Sequence, residues 1–205
     1  MTIADAILAF PVAYYMARVA SRGTRTTLFV LVMLPLWSSY LLRVYAWRLI
    51  LDHDGLLNWT LGKLGLPPAN IAYTNTAVWL VFTYIWLPFM IVPVYGALER
   101  IPDSLLEASG DLGARNWRTL RSVLLPLALP GVVAGSIFTF SLTLGDFITP
   151  LLVGGANSNF IGNIIYSNLG TAGNLPFAAA LALVPIVIMI VYLLGARALG
   201  AFESL

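Results

Sequence analysis

Glu107-Ala108-Ser109-Gly110-Asp111-Leu112-Gly113 is followed, after nine residues, by Val123-Leu124-Leu125-Pro126. This charged, glycine-punctuated stretch lies between two long apolar runs. Ser104-Leu105-Leu106-Glu107 reads as a capping box, with Ser104 as the cap and Glu107 reaching back. Pro102 breaks the segment before it. Gly113 supplies a helix stop, because glycine enters the left-handed conformation without steric cost. Asn116 stands where it caps a next helix from Trp117 onward. The expectation is two short helices, with Leu105, Leu106 and Ala108 forming a small apolar knob. An ordinary amphipathic connector, in which Glu107 only caps, fits the same residues.

Outward from this loop the chain is built for a bilayer. It is 60% hydrophobic and 10% charged, against about 25% charged in soluble domains. A helix needs about 20 apolar residues to cross the hydrocarbon core. Segments that qualify are roughly Ile3–Val19, Thr27–Leu51, Thr74–Leu98, Val123–Pro150 and Phe177–Leu199. Their apolar character is continuous rather than alternating, which selects helix over barrel strand. Prolines 11, 35, 88, 93, 130 and 185 fall inside them; kinked helices survive in membranes where neighbours satisfy the freed carbonyls. The expected fold is all-α: one polytopic bundle over residues 1–205 with five transmembrane helices and the charged loop 99–122.

Arginine placement sets the orientation. Arg18, Arg22 and Arg25 lie in the first connection, Arg100, Arg115, Arg118 and Arg121 in the third, and Arg197 in the tail. These parts are expected in the cytoplasm. The second connection, about Asp52 to Tyr73, has only Lys63 as a basic residue, and Leu151 to Pro176 has no charge; both are expected outside, as is Met1. Arg43 and Arg48 run against the count and either snorkel outward or line a polar path. No basic region precedes the first apolar run, and Asp5 sits early in it, which argues against a signal peptide.

Several functions are disfavoured. The chain has no cysteine and one histidine, His53, so no metal site is expected. A net charge of +2 without an aromatic-rich basic patch points away from nucleic acid. Gly62-Lys63 is followed by Leu64, which does not complete a phosphate-binding loop. No motif for an intramembrane enzyme is present, and no internal repeat of the kind common in secondary transporters is evident.

The loop's pattern resembles the cytoplasmic signature of permease subunits of ABC importers, read as E-A-A, three residues, G, nine residues, I-x-L-P. Ser109 for the second alanine and Val123 for isoleucine are the departures. The resemblance extends from Pro11 to about Leu199. It implies a permease that is not itself an enzyme and binds no cofactor. ATP is held by separate ATPase subunits that dock on Glu107, Ala108, Ser109 and Gly113, with Leu105 and Leu106 beside them. It also implies a second permease subunit, in a heterodimer, and a periplasmic or extracellular substrate-binding protein. The setting is the bacterial inner membrane. Relatives of this kind carry one more amino-terminal span and an external loop, so the chain is expected to lack its first helix.

Tyr40-Leu41-Leu42-Arg43-Val44-Tyr45-Ala46-Trp47, Gly55-Leu56-Leu57-Asn58, Leu87-Pro88-Phe89-Met90 and Gly145-Asp146-Phe147-Ile148-Thr149-Pro150 look like the permease of spermidine/putrescine importers. Permeases for iron, other organic cations or small anions are the alternatives, and a secondary transporter or channel subunit a more distant one. A polyamine needs carboxylates for its ammonium groups and aromatic faces for cation–π contact. Asp146, Trp37, Tyr40, Tyr84 and Trp86 are of the right types for a substrate pathway. Asp146 reads equally as a helix-end or subunit-contact carboxylate, and the aromatics as packing or an interfacial belt.

Overall fold

A computed structural model describes residues 1–170 and 172–198. Among these there is no strand, and the chain is a succession of helices. α1 (Thr2–Tyr14) continues through one widened turn, Tyr15–Val19. α2 (Arg22–Met33) tightens at Leu34–Trp37. α3 (Tyr40–Leu51) and α4 (Leu56–Lys63) follow. α5 (Asn75–Glu99) leads to α6 (Asp103–Asp111) and the single-turn α7 (Asn116–Thr119). A second widened turn, Leu120–Leu124, runs into α8 (Leu125–Gly145). α9 (Ile148–Val153), α10 (Ile161–Leu169) and α11 (Leu175–Ala198) complete the order.

Helices 2–19, 75–99, 116–145 and 175–197 are each long and apolar enough to cross a membrane. They match four of the expected segments, the last as far as Ala198; Leu199 lies outside the described residues. The remaining expected span, Thr27–Leu51, is not one straight helix. It breaks at Ser38-Ser39, and segments 22–37 and 40–63 meet at 93°. Pro35, which lacks an N–H and so withdraws one intrahelical bond, lies in the tightened turn Leu34–Trp37 just before the break. Its freed carbonyl takes the Ser38 N–H at 3.2 Å and the Ser38 hydroxyl at 2.7 Å. The span expected as Val123–Pro150 ends early, at Gly145. There Asp146 turns its carboxylate to the N–H groups at the start of α9.

The chain forms two compact units. One contains residues 34–86 and 141–190 with Met1; among the described residues the other contains 2–33, 87–140 and 191–198. The core of the second unit sets Ala9, Ala13, Met16 and Ala17 of the first span against Met90, Ile91, Val94 and Leu98 of α5, with Leu124 and Ala128 alongside. Small residues let membrane helices approach closely. Gly131 shows it: a Cβ there would lie 2.5 Å from the Ala97 Cβ and 2.6 Å from the Pro93 carbonyl.

The first and third connections meet within this unit. Arg18 donates to the Asp103 carboxylate at 2.7 Å and to the carbonyls of Leu98 and Ile101. Arg25 donates to Glu99 at 3.0 Å and to the Ala17 carbonyl at 3.1 Å. In the first unit the second and fourth connections meet: the Ser158 hydroxyl donates to Asn75 at 2.7 Å, and Gly155 lies against the Tyr73 carbonyl. The arginine count pairs the same connections.

Gly131→Val forces α5 and α8 apart and is expected to lower stability by about 1–3 kcal/mol. Gly96→Ala, whose Cβ meets nothing within 4 Å, is expected to be neutral or slightly stabilising. Thermal unfolding of the detergent-solubilised protein distinguishes them, and equal midpoints would contradict the packing.

Candidate functional site

The signature loop builds a short helix with a fixed end. α6 starts at Asp103, with Pro102 in the cap position and no side-chain cap bond. The capping box is therefore not formed. Ser104 already lies inside the first turn, where Asp103 supplies the negative charge that a helix N-terminus favours. Glu107 is exposed and makes no hydrogen bond among the described residues. Asn116 likewise begins α7 rather than capping it; Arg115 holds the cap position.

The other end agrees with the sequence reading. Gly113 has φ +74°. The Ala114 N–H bonds the Ser109 carbonyl at 3.0 Å, and the Gly113 N–H bonds the Gly110 carbonyl at 2.8 Å. This is the Schellman pair that closes a helix on a left-handed residue. The Ser109 hydroxyl lies 2.9 Å from that of Thr119, which ties α6 to the helix leading into α8.

The apolar knob differs from the expected one. Leu106 packs against the core cluster. Leu105 faces a groove alongside α5 and α8, while Ala108 is exposed. The side chains that stand free are Leu112, 88% exposed, and Trp117, 68% exposed. Leu112, Ser109 and Arg118 edge a depression of about 220 Å³.

The second candidate site lies in the other unit. Asp146 Oδ1 accepts the N–H groups of Ile148 at 2.8 Å and Thr149 at 3.2 Å. Oδ2 accepts the Thr149 hydroxyl at 2.9 Å and the Tyr40 hydroxyl. The two hydroxyls lie 2.8 Å apart. A carboxylate has about four lone-pair sites, and here each oxygen takes two donors. Tyr40 stacks on Trp86 with ring centroids 5.9 Å apart and planes 13° from parallel. Tyr40, Trp86 and Asp146 line a cavity of about 380 Å³ with Ser141 and Phe147.

Three of the five pathway residues therefore converge. Trp37 is 86% exposed at the helix break and does not line the cavity. Tyr84 packs on Trp47, with centroids 5.2 Å apart. Two contributors escaped the sequence reading. Thr149, fully buried, completes the carboxylate's shell; its position three residues after Asp146 was the available signal. Gly162 rests on the Asp146 carbonyl, where a Cβ would come within 2.7 Å.

Tyr40→Phe and Thr149→Val each remove a donor to a charged group, which costs about 1.5–3 kcal/mol. Because both bond the same oxygen, the double variant is expected to fall short of additivity by more than about 0.5 kcal/mol. A thermal double-mutant cycle checks this; strict additivity would show that the hydroxyls do not share the carboxylate.

The model of the family described as "Binding-protein-dependent transport system inner membrane component" matches residues 1–201. The inner membrane ABC transporter permease protein YdcU of Escherichia coli is 55% identical, covering 100% of this chain and 69% of its own length. The spermidine/putrescine transport system permease protein PotB of Haemophilus influenzae is 36% identical over 89% of this chain and 64% of its own length. Among solved structures, the bacterial alginate ABC transporter in complex with its alginate pentasaccharide-bound periplasmic protein has a chain superposing with TM-score 0.77 at 18% identity, over 99% of this chain and 73% of that one. Matched over nearly its whole length by that family model, the chain belongs to the binding-protein-dependent transport system inner membrane components, as a multi-pass permease subunit of a bacterial ABC importer.

Proposed function

We propose that this permease moves polyamines of the spermidine and putrescine class into the cell by alternating access. A substrate-binding protein delivers the cargo to the outer connections, and a second permease subunit completes the path. Two ATPase subunits grip the segment 103–117 from the cytoplasm. ATP acts as a ligand that shifts the population toward the outward-open state. The observation that carries the substrate is the 36% identity to a spermidine/putrescine permease across 89% of the chain. The cavity beside Asp146 supports it. Its carboxylate gives negative potential, and Tyr40 and Trp86 give an aromatic wall. Since the carboxylate oxygens are filled by internal donors, an ammonium group meets the ring faces, with Asp146 acting through its field.

The alternative within the same class is another small organic cation. Uptake of labelled spermidine or putrescine into vesicles carrying the complete complex separates the two. A cation–π contact contributes roughly 0.5–2 kcal/mol. Trp86→Ala is therefore expected to raise the half-saturating concentration about two- to thirty-fold at an unchanged level of assembled complex. Normal half-saturation in this variant would remove the cavity from the pathway. Absence of polyamine uptake by the unaltered complex would overturn the substrate and leave the permease class standing.

Docking has its own test. Leu112→Asp places a charge on the exposed tip of the loop, and Gly113→Val strains its left-handed turn. Both are expected to insert into the membrane normally and to lose at least ten-fold in ATPase subunit co-purified. Full recovery of the ATPase with both variants would place the docking surface elsewhere.

A further inference from the structure

With 12 residues, α3 is too short to cross a bilayer; apolar stretches of this length lie in the interface or in a protein core. Its contacts set its depth. α5 and α8 are each long enough to cross, and the loop 99–122 joins them. Crossing in succession, they bring Asn75 and Gly145 to the same surface. Tyr40, the first residue of α3, donates to Asp146 just past the end of α8. Arg48, in the last turn of α3, donates to the Tyr73 hydroxyl at 3.4 Å, just before α5 begins, and lies over the Tyr73 ring. A helix pinned at both ends to one surface runs along it. One stripe of α3 faces the protein: Tyr40 bonds Asp146, Val44 and Leu51 are buried, and Trp47 packs on Tyr84. Another stripe, Leu42, Tyr45 and Leu49, is exposed, Leu49 to 68%. Gly55 folds the chain back onto the end of α3; a Cβ there would lie 2.3 Å from the Leu49 carbonyl. Asn58 then fixes α4, donating to the His53 carbonyl at 3.0 Å and accepting the Ala69 N–H at 2.8 Å. This leaves Trp59 exposed, with the Lys63 ammonium 5.6 Å from its ring centre. Exposed Tyr and Trp beside basic side chains suit a membrane–water boundary. Arg43 fits the same placement. In a straight span over 27–51 it would lie about 6 Å from the midpoint, where a charge is costly; along the surface it reaches the headgroups.

We propose that α3 and α4 form a surface that binds the lipid interface, with neither helix crossing the bilayer. Leu42, Tyr45, Leu49 and Trp59 enter the boundary between headgroups and acyl chains, and Lys63 stays among the phosphates. The stripe on α3 offers one hydroxyl, too few polar groups for the hydrogen bonds of a subunit interface, so lipid is favoured over a protein partner. The surface is independent of which substrate is carried.

The chain has no cysteine, so Leu42→Cys, Tyr45→Cys, Leu49→Cys and Trp59→Cys each accept one nitroxide label. The test measures label depth in the complete importer, with cysteine-free partner subunits, in vesicles of phosphatidylethanolamine and phosphatidylglycerol. Depth is read from collisions with oxygen, which enters hydrocarbon, against a water-soluble nickel chelate. All four labels are expected at one shallow depth, about 5–10 Å into the boundary. A crossing or re-entrant α3 would instead separate the labels at 42 and 49 by about 10 Å, and that gradient overturns the proposal. Labels at all four positions that meet mainly the nickel chelate also overturn it, because the surface then faces water and is open to the substrate-binding protein. So do immobile labels that neither reagent reaches, because a subunit then covers the surface. If replacing Tyr45 or Trp59 disturbs folding, the depth difference between 42 and 49 decides the matter.

Discussion

A helix that stops leaves backbone groups unpaired, and where it stops within a bilayer, which supplies no hydrogen-bond partners, the chain itself must satisfy them. Three such places organise the molecule. At the end of α5, Arg18 donates to the carbonyls of Leu98 and Ile101. At the end of α6, Gly113 turns left-handed and lets the chain bond back on Ser109 and Gly110. At the start of α9, Asp146 receives the N–H groups of Ile148 and Thr149. The two candidate functional surfaces lie at the last two of these closures, where polar groups are held in a fixed arrangement.

The Arg18 closure has a mechanical consequence. Its guanidinium binds the end of α5 and, at 2.7 Å, the Asp103 carboxylate in the first turn of α6. Arg25 adds a second tie from α2 to Glu99. Surface ion pairs alone are worth little, but Arg18 is only 10% exposed at its side chain and bonds two backbone carbonyls as well. A push on α6 therefore reaches α5 and α1 through bonded atoms. On the proposal that ATPase subunits dock on α6, this is the route by which their motion reaches the spans.

What the sequence made legible follows from how local each determinant is. Long apolar runs and arginine bias reveal the spans and the pairing of connections, since hydropathy and charge are summed over many residues. Gly113 was legible because a positive φ after a short polar helix demands glycine. The breaks were harder. Averaged over a span, composition stays apolar across Ser38-Ser39 and Asp146, and the bonds that decide the second break join Tyr40 to a residue 106 positions away. Ser104 was misplaced as a cap because Pro102 takes that position. Leucine periodicity did not say that the core covers Leu106 and leaves Leu112 free. Of four candidate aromatics, Tyr40 and Trp86 join Asp146 because the backbone bends at the right points, and a list of residue types does not contain those bends.

The central claim is that force applied to α6, the proposed docking helix, passes to the spans through Arg18. The direct measurement is the ratio of substrate transported to ATP hydrolysed by the complete complex in proteoliposomes, for the natural chain and for Arg18→Gln. The account predicts that the variant binds its ATPase and hydrolyses ATP while uptake falls by ten-fold or more, so the ratio collapses. An unchanged ratio in a fully assembled Arg18→Gln complex would contradict it.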